Sequence, residues 1–140
     1  VALLIVSGCK KNKFTTEPQI SFKAITPNAY SNSTADANLP ILTLKVTDAE
    51  GDIGFNAGKD TAFIYLTNLR TNRFDSITLP DIKPIAINNF DAEVSVNLKQ
   101  FLGVPNNSKK DTIYFNVYLK DFAKHKSNVL KTETPVYYFP

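Results

Sequence analysis

Asp48, Glu50 and Asp52 stand at alternate positions within Val46-Thr47-Asp48-Ala49-Glu50-Gly51-Asp52-Ile53-Gly54. Alternate side chains of an extended backbone project to one side, so this spacing sends three carboxylates the same way. Converging carboxylates repel one another and usually need a compensating cation. Calcium suits such a set, because it takes about 6–8 oxygen ligands in flexible geometry, with carbonyls and waters completing the shell. Gly51 and Gly54 fall in the wrong places for an EF-hand loop. Two metal-free readings stay open. Asp48 and Asp52 can hydrogen-bond local amides as Asx-turns do, or Lys59, Lys120 and Lys124 can neutralise the cluster.

Other chemistry finds fewer residues. The chain holds one cysteine and one histidine in 140 residues. That excludes an internal disulfide framework and a cysteine-built zinc site. His125 lies between Lys124 and Lys126, with no nucleophile or orienting acid set beside it by spacing, and is expected to be solvated. Carboxylate pairs can serve glycoside hydrolysis, yet a domain of this size without tryptophan offers little cleft for a sugar chain. No enzyme is expected. Lys109-Lys110 and the stretch from Lys120 to Lys131 form a basic side, but a net charge of +3 is too mild to imply nucleic acid. No interleaved aromatic stacking set accompanies it.

The elements that must position these residues read as strands. Ile20, Phe22 and Ala24 alternate with polar residues, as do Leu42, Leu44 and Val46. Ala92, Val94, Val96 and Leu98 repeat the pattern, and so do Ile113, Phe115, Val117 and Leu119. Such period-2 alternation marks half-buried antiparallel strands. Residues 62–69 are apolar on both parities, which predicts a more central strand turning at 70–73 into 74–79. Pro80 and Pro84 keep 80–90 out of an inner strand. Leu98, Phe101 and Leu102 predict one helical turn stopped by Gly103. Pro135 suits an edge for the last strand, 128–139. Seven to eight short strands with one helical turn predict an all-β, immunoglobulin- or fibronectin-III-like antiparallel sandwich. In that fold the loops after the second and sixth strands share an end, which brings Asp121 to the trio, while Asp60 closes the same long loop.

Aromatic residues raise two surface readings. Tyr114 and Tyr118 lie four apart on the outer parity and, with Tyr65, are candidates for the flat platform of a glycan-binding module. A covering strand or loop would make them structural, which is the expectation. Tyr137, Tyr138 and Phe139 on an edge strand would invite strand addition or a protein partner. Alternatively, Val136 and Tyr138 pack inward and the others lie flat.

The N-terminal stretch bears on location. Six apolar residues, Val1 to Val6, are too few to span a bilayer, which needs roughly 20. They look like the tail of a signal-peptide core whose charged start lies upstream, in keeping with the absence of methionine. Val6-Ser7-Gly8-Cys9 resembles a bacterial lipobox, which implies lipid on Cys9 and removal of residues 1–8. Residues 9–18 would then form a lipid-anchored tether and 19–140 the sandwich domain. Lys10, Lys11 and Lys13 could sit against anionic headgroups or simply be solvated.

The whole chain resembles the single-domain immunoglobulin-like outer-membrane lipoproteins of Bacteroidota. The resemblance rests on the lipobox with its Lys-rich start and on Asp48-Ala49-Glu50-Gly51-Asp52-Ile53-Gly54. It rests also on Asp121-Phe122-Ala123-Lys124-His125-Lys126-Ser127-Asn128, similar to a D-x-A-G-N-x-S-N loop with Lys124 and His125 in place of its Gly-Asn. It implies this fold and an outer-membrane location, but no activity; the function expected is a non-catalytic lipoprotein, accessory to an envelope complex through a protein partner. A surface glycan-binding module is the alternative, and a small hydrolase ranks last. Surface export in that family goes with acidic residues just after the cysteine. The lysines here depart from that pattern and favour the periplasmic face.

Overall fold

The computed structural model describes residues 13–53, 55–56, 60–79, 88–103 and 109–140. In chain order the first strands are β1 (Gln19–Thr26), β2 (Ala29–Tyr30), β3 (Ile41–Asp48), β4 (Phe55–Asn56), β5 (Asp60–Thr61) and β6 (Phe63–Asn68). They are followed by β7 (Arg73–Thr78), β8 (Phe90–Asn97), β9 (Asp111–Ile113), β10 (Phe115–Lys120), β11 (Leu130–Lys131) and β12 (Val136–Tyr138).

Two main sheets face each other. One runs β1-β3-β8 and the other β11-β10-β6-β7, with every neighbouring pair antiparallel. A smaller sheet, β2-β12-β9, is formed by the tracts next to β11 and β10, and β2 joins it in parallel. The first, second and fifth long strands, β1, β3 and β8, therefore form one layer, and the third, fourth and sixth, β6, β7 and β10, form the other with the short β11. That order is the immunoglobulin-like arrangement, and the chain is an all-β sandwich of this type.

The alternation is what closes the core. Leu42, Leu44 and Val46 of β3 are fully buried, and they face Ile64 and Leu66 of β6 and Phe115, Val117 and Leu119 of β10, also fully buried. Each such side chain contributes about 1.5–3 kcal/mol on leaving water, so strand parity decides which face turns inward. The β6–β7 hairpin forms as expected, with Asn72 in a left-handed conformation at its turn. β6 is central, between β10 and β7. The turn Lys99–Phe101 buries Leu98, Phe101 and Leu102, and Gly103 follows at φ 71°. A second short turn, Asp36–Asn38, buries no side chain and so carries no apolar pattern that would mark it in the sequence.

Two features differ from the alternation pattern. In β1 a bulge between Phe22 and Ala24 takes Lys23 out of register. Ile20 and Ile25 are both buried although their positions have opposite parity, while Phe22 and Ala24 are only half-buried. The bulge changes parity so that both ends of β1 feed the core. Secondly, β12 is no edge: it pairs with β9 on one side and β2 on the other. Pro135 stands just before β12, where no ladder donor is required of it.

The ends of β3 and β10 and the starts of β1, β6 and β8 lie together at one end of the sandwich. The Phe122 N–H donates to the Asp52 carbonyl at 2.9 Å, and the Asn89 N–H to the Ala49 carbonyl at 2.9 Å. The loops bearing the carboxylates thus meet, as the fold class predicted. Residues 80–87, expected to cross between the sheets, lie outside the described residues.

Candidate functional sites

At that end, one oxygen from each of Asp48, Glu50 and Asp52 lies within 4.8 Å of the others. Asp48 closes β3 on the inward parity and is fully buried. Its Oδ1 accepts from the Glu50 N–H at 2.9 Å and the Gly51 N–H at 2.7 Å, and Gly51 takes φ 67° to complete the turn. The Asx-turn reading therefore accounts for one oxygen of Asp48. Its Oδ2 is buried without a partner, and so is Oδ1 of Asp52. Asp52 Oδ2 accepts from the Ala123 N–H at 3.3 Å, in the loop after β10. Burial, reinforced by the charges of Asp52 and Asp121 and opposed by the two amide donors, raises the Asp48 carboxyl to about 7.

Asp121 and His125 form the second wall. Asp121 is 1% exposed; its Oδ1 accepts from the His125 N–H at 2.8 Å and its Oδ2 lies 3.0 Å from His125 Nδ1. Burial raises the Asp121 carboxyl, while the hydrogen bond and charge of Asp121 raise the His125 imidazole. The expectation that His125 has no orienting acid is thus corrected. The sequence signal was its position four residues after an aspartate, but only a tight loop brings the two together. Lys124, at φ 67°, makes that loop. Among the described residues, no hydroxyl or thiol hydrogen-bonds to the imidazole, and Ser127 Oγ is occupied by the Leu119 N–H and the Asn128 carbonyl.

The segment before β1 is bonded to the same end. The Thr47 hydroxyl donates to the Lys13 carbonyl at 3.1 Å, and the Ala49 N–H to the Thr15 carbonyl at 3.0 Å. Thr16 Oγ1 donates to Glu50 Oε1 at 3.1 Å, and Lys13 pairs with Asp91. Residues 13–17 are therefore attached to the sandwich ahead of its first strand. Val6, Ser7, Gly8 and Cys9, like Asp60's side chain, fall outside what the structure describes.

The outer face of the second sheet carries a row of rings. Tyr65 and Tyr118 pair across β6 and β10 and stack at 4.7 Å and 11°. Phe74 of β7 stacks on Tyr65 at 5.8 Å and lies 6.4 Å from Tyr118. Lys126 Nζ is 4.3 Å from the Tyr118 centroid and Lys120 Nζ 5.6 Å from that of Tyr65. Burial and the adjacent Tyr65 raise the Tyr118 hydroxyl above its ordinary range. Tyr114 is not part of the stack; it interrupts β9 and β10 and lies under Lys131 at 4.5 Å. Phe74, 54% exposed, was not identified from the sequence, because only the hairpin register sets it beside Tyr65. On β12, Val136 and Tyr138 are buried and Tyr137 is 40% exposed. With both sides of β12 paired, Tyr137 offers a side chain and no free strand edge.

Among the described residues no helix is long and apolar enough to cross a membrane. No protein-family model matches the chain, and no curated protein matches it. Among solved structures, the PKD domain of an M14-like peptidase from Thermoplasmatales archaeon SCGC AB-540-F20 aligns with 85% of this chain and 93% of its own length, at 16% identity and a TM-score of 0.28.

Proposed function

We propose that this chain is a non-catalytic, lipid-anchored outer-membrane lipoprotein that binds a protein partner as the accessory subunit of an envelope complex. Lipid on Cys9 is the anchor, and the Lys-rich segment that follows favours the periplasmic leaflet. The observation that carries the partner reading is the Phe74–Tyr65–Tyr118 row on the outer sheet face, bordered by Lys120 and Lys126. An exposed aromatic anchor within a charged rim has the anatomy of a protein interface, where a few rings dominate the energy. A glycan platform needs open ring faces. Here Tyr65 and Tyr118 cover each other, and Lys126 lies over Tyr118. The lysine rim favours a partner with acidic residues around an apolar pocket.

The test is purification of the native, lipidated protein from mild detergent, beside a Phe74→Asp variant. The expected result is a stoichiometric protein partner with the native chain that is lost with Phe74→Asp. A native preparation without any protein partner would overturn the reading. Retention of the chain in a polysaccharide gel, abolished by Phe74→Asp, would select the glycan-binding alternative.

A further inference from the structure

We propose that Asp48, Glu50 and Asp52 bind a calcium ion, and that the ion fastens residues 13–17 to the end of the sandwich. Three carboxylates near one another do not by themselves make a site. The second observation is the fully buried Asp48 side chain, whose Oδ2 has no hydrogen-bond partner within the cluster. Asp52 Oδ1 is likewise buried and unpartnered. The nearby amide donors are already used: those of Glu50 and Gly51 by Asp48 Oδ1, and that of Ala123 by Asp52 Oδ2. Among the described residues, no lysine or arginine ion-pairs with the three; Lys120 and Lys126 lie over rings instead. Two buried oxygens without donors are strongly disfavoured as anions unless a charge meets them.

The dimensions suit a calcium ion. Oxygens up to 4.8 Å apart can lie on opposite sides of one cation, since calcium–oxygen distances are about 2.3–2.6 Å. Magnesium needs about 2.0–2.1 Å and a near-ideal octahedron, so it fits this spacing less well. Glu50 links the ion to the approach segment, because its Oε1 already holds the Thr16 hydroxyl. Neighbouring Ala49 holds the Thr15 carbonyl through its N–H. Fixing the Glu50 side chain therefore fixes both bonds.

The experiment uses the full chain in mild detergent, melted in 1 mM calcium chloride, in magnesium chloride and in EDTA. Binding to the folded state alone at about one hundred times Kd is expected to raise the melting temperature by roughly 5–15 °C in calcium. The rise should be smaller in magnesium. Asp48→Asn risks the fold, so the diagnostic variants are Asp52→Asn and the exposed Glu50→Gln, each expected to lose most of the rise while melting like the parent chain in EDTA. Coincident curves in calcium and EDTA, or a full rise in both variants, would overturn the site. Hydrogen exchange at the Ala49 amide tests the fastening: calcium should slow it several-fold, and an unchanged rate beside a calcium-dependent melt would overturn that part.

Discussion

Thr16 and Glu50 lie 34 positions apart in the chain and share a hydrogen bond of 3.1 Å. This contact joins the segment leading into β1 to the loop that leaves β3. With the Ala49–Thr15 and Thr47–Lys13 bonds it makes the approach segment part of the carboxylate end. If Cys9 carries lipid, that end is the one nearest the bilayer. Only residues 10–12 then separate the anchor from bonded chain, a reach of roughly 14 Å from Cys9 to Lys13 at full extension.

In EDTA, the chain should become less stable as pH rises from about 5.5 to 8. The Asp48 carboxyl is raised from 3.8 to about 7, so between those values the folded state holds more protons than the unfolded chain. Stability then falls with increasing pH across that window. Asp121, raised by burial, acts in the same sense. His125, raised above 6.5 by Asp121, contributes stability present below that value and lost as pH climbs through its folded pKa. The melting temperature is expected to drop by roughly 5 °C or more across the range. Asp52→Asn, which removes one of the charges that raise Asp48, should make the slope shallower, and a melting temperature that rises with pH would contradict the assignment.

Lys124→Gly should stabilise the chain. Lys124 holds φ 67°, a left-handed conformation that glycine adopts without steric cost. Left-handed backbone costs a residue with a β-carbon about 1–2 kcal/mol. Glycine's greater freedom when unfolded returns part of that. A net gain of roughly 0.5–1 kcal/mol in urea unfolding is expected. A loss would mean that the lysine side chain contributes contacts outweighing the strain.

Tyr138 should separate ring from hydroxyl. Its ring is fully buried and packs 5.2 Å from that of Tyr30, while its hydroxyl has no hydrogen-bond partner. Tyr138→Phe is therefore expected to be neutral or stabilising by up to about 1 kcal/mol, since removing an unpaired buried hydroxyl relieves desolvation. Tyr138→Ala should cost about 3–5 kcal/mol through the cavity it leaves. Equal losses for both substitutions would show that the hydroxyl is bonded in solution.

Cys9→Ser should release the protein into the soluble fraction with its melting curve nearly unchanged, because the described core begins well after residue 9. Fractionation after a salt wash measures this. Cys9→Ser protein that stays with the membrane would rule out lipid as the main anchor.

Asn128 illustrates what no local pattern could reveal. Its Oδ1 accepts the Ile20 N–H at 2.8 Å and its Nδ2 donates to the Ile20 carbonyl at 2.9 Å, serving β1 as a strand partner would. Asn68 does likewise for the turn after β8, donating to the Phe101 and Leu102 carbonyls while accepting from Arg70 and Thr71. Neither is set apart from its neighbours by type or spacing in the sequence. Losing either should leave buried amides or carbonyls unpaired.

The sequence by itself determined the long strands, the inward faces of β3, β8 and β10, the β6–β7 hairpin and the shared end of the two carboxylate loops. It could do so because period-2 burial is a local property: Leu42, Leu44 and Val46 declare their face through their own neighbours. Tertiary structure alone decided the rest. The bulge at Lys23, the enclosure of β12 by β2 and β9, and the stacking of Phe74 on Tyr65 depend on register between segments distant in the chain. The same holds for chemistry. Spacing could send Asp48, Glu50 and Asp52 to one side, but whether a carboxylate oxygen is left buried and unpaired depends on donors brought by another loop. Pairing is a relation between residues far apart in sequence, and only the folded chain brings them within reach.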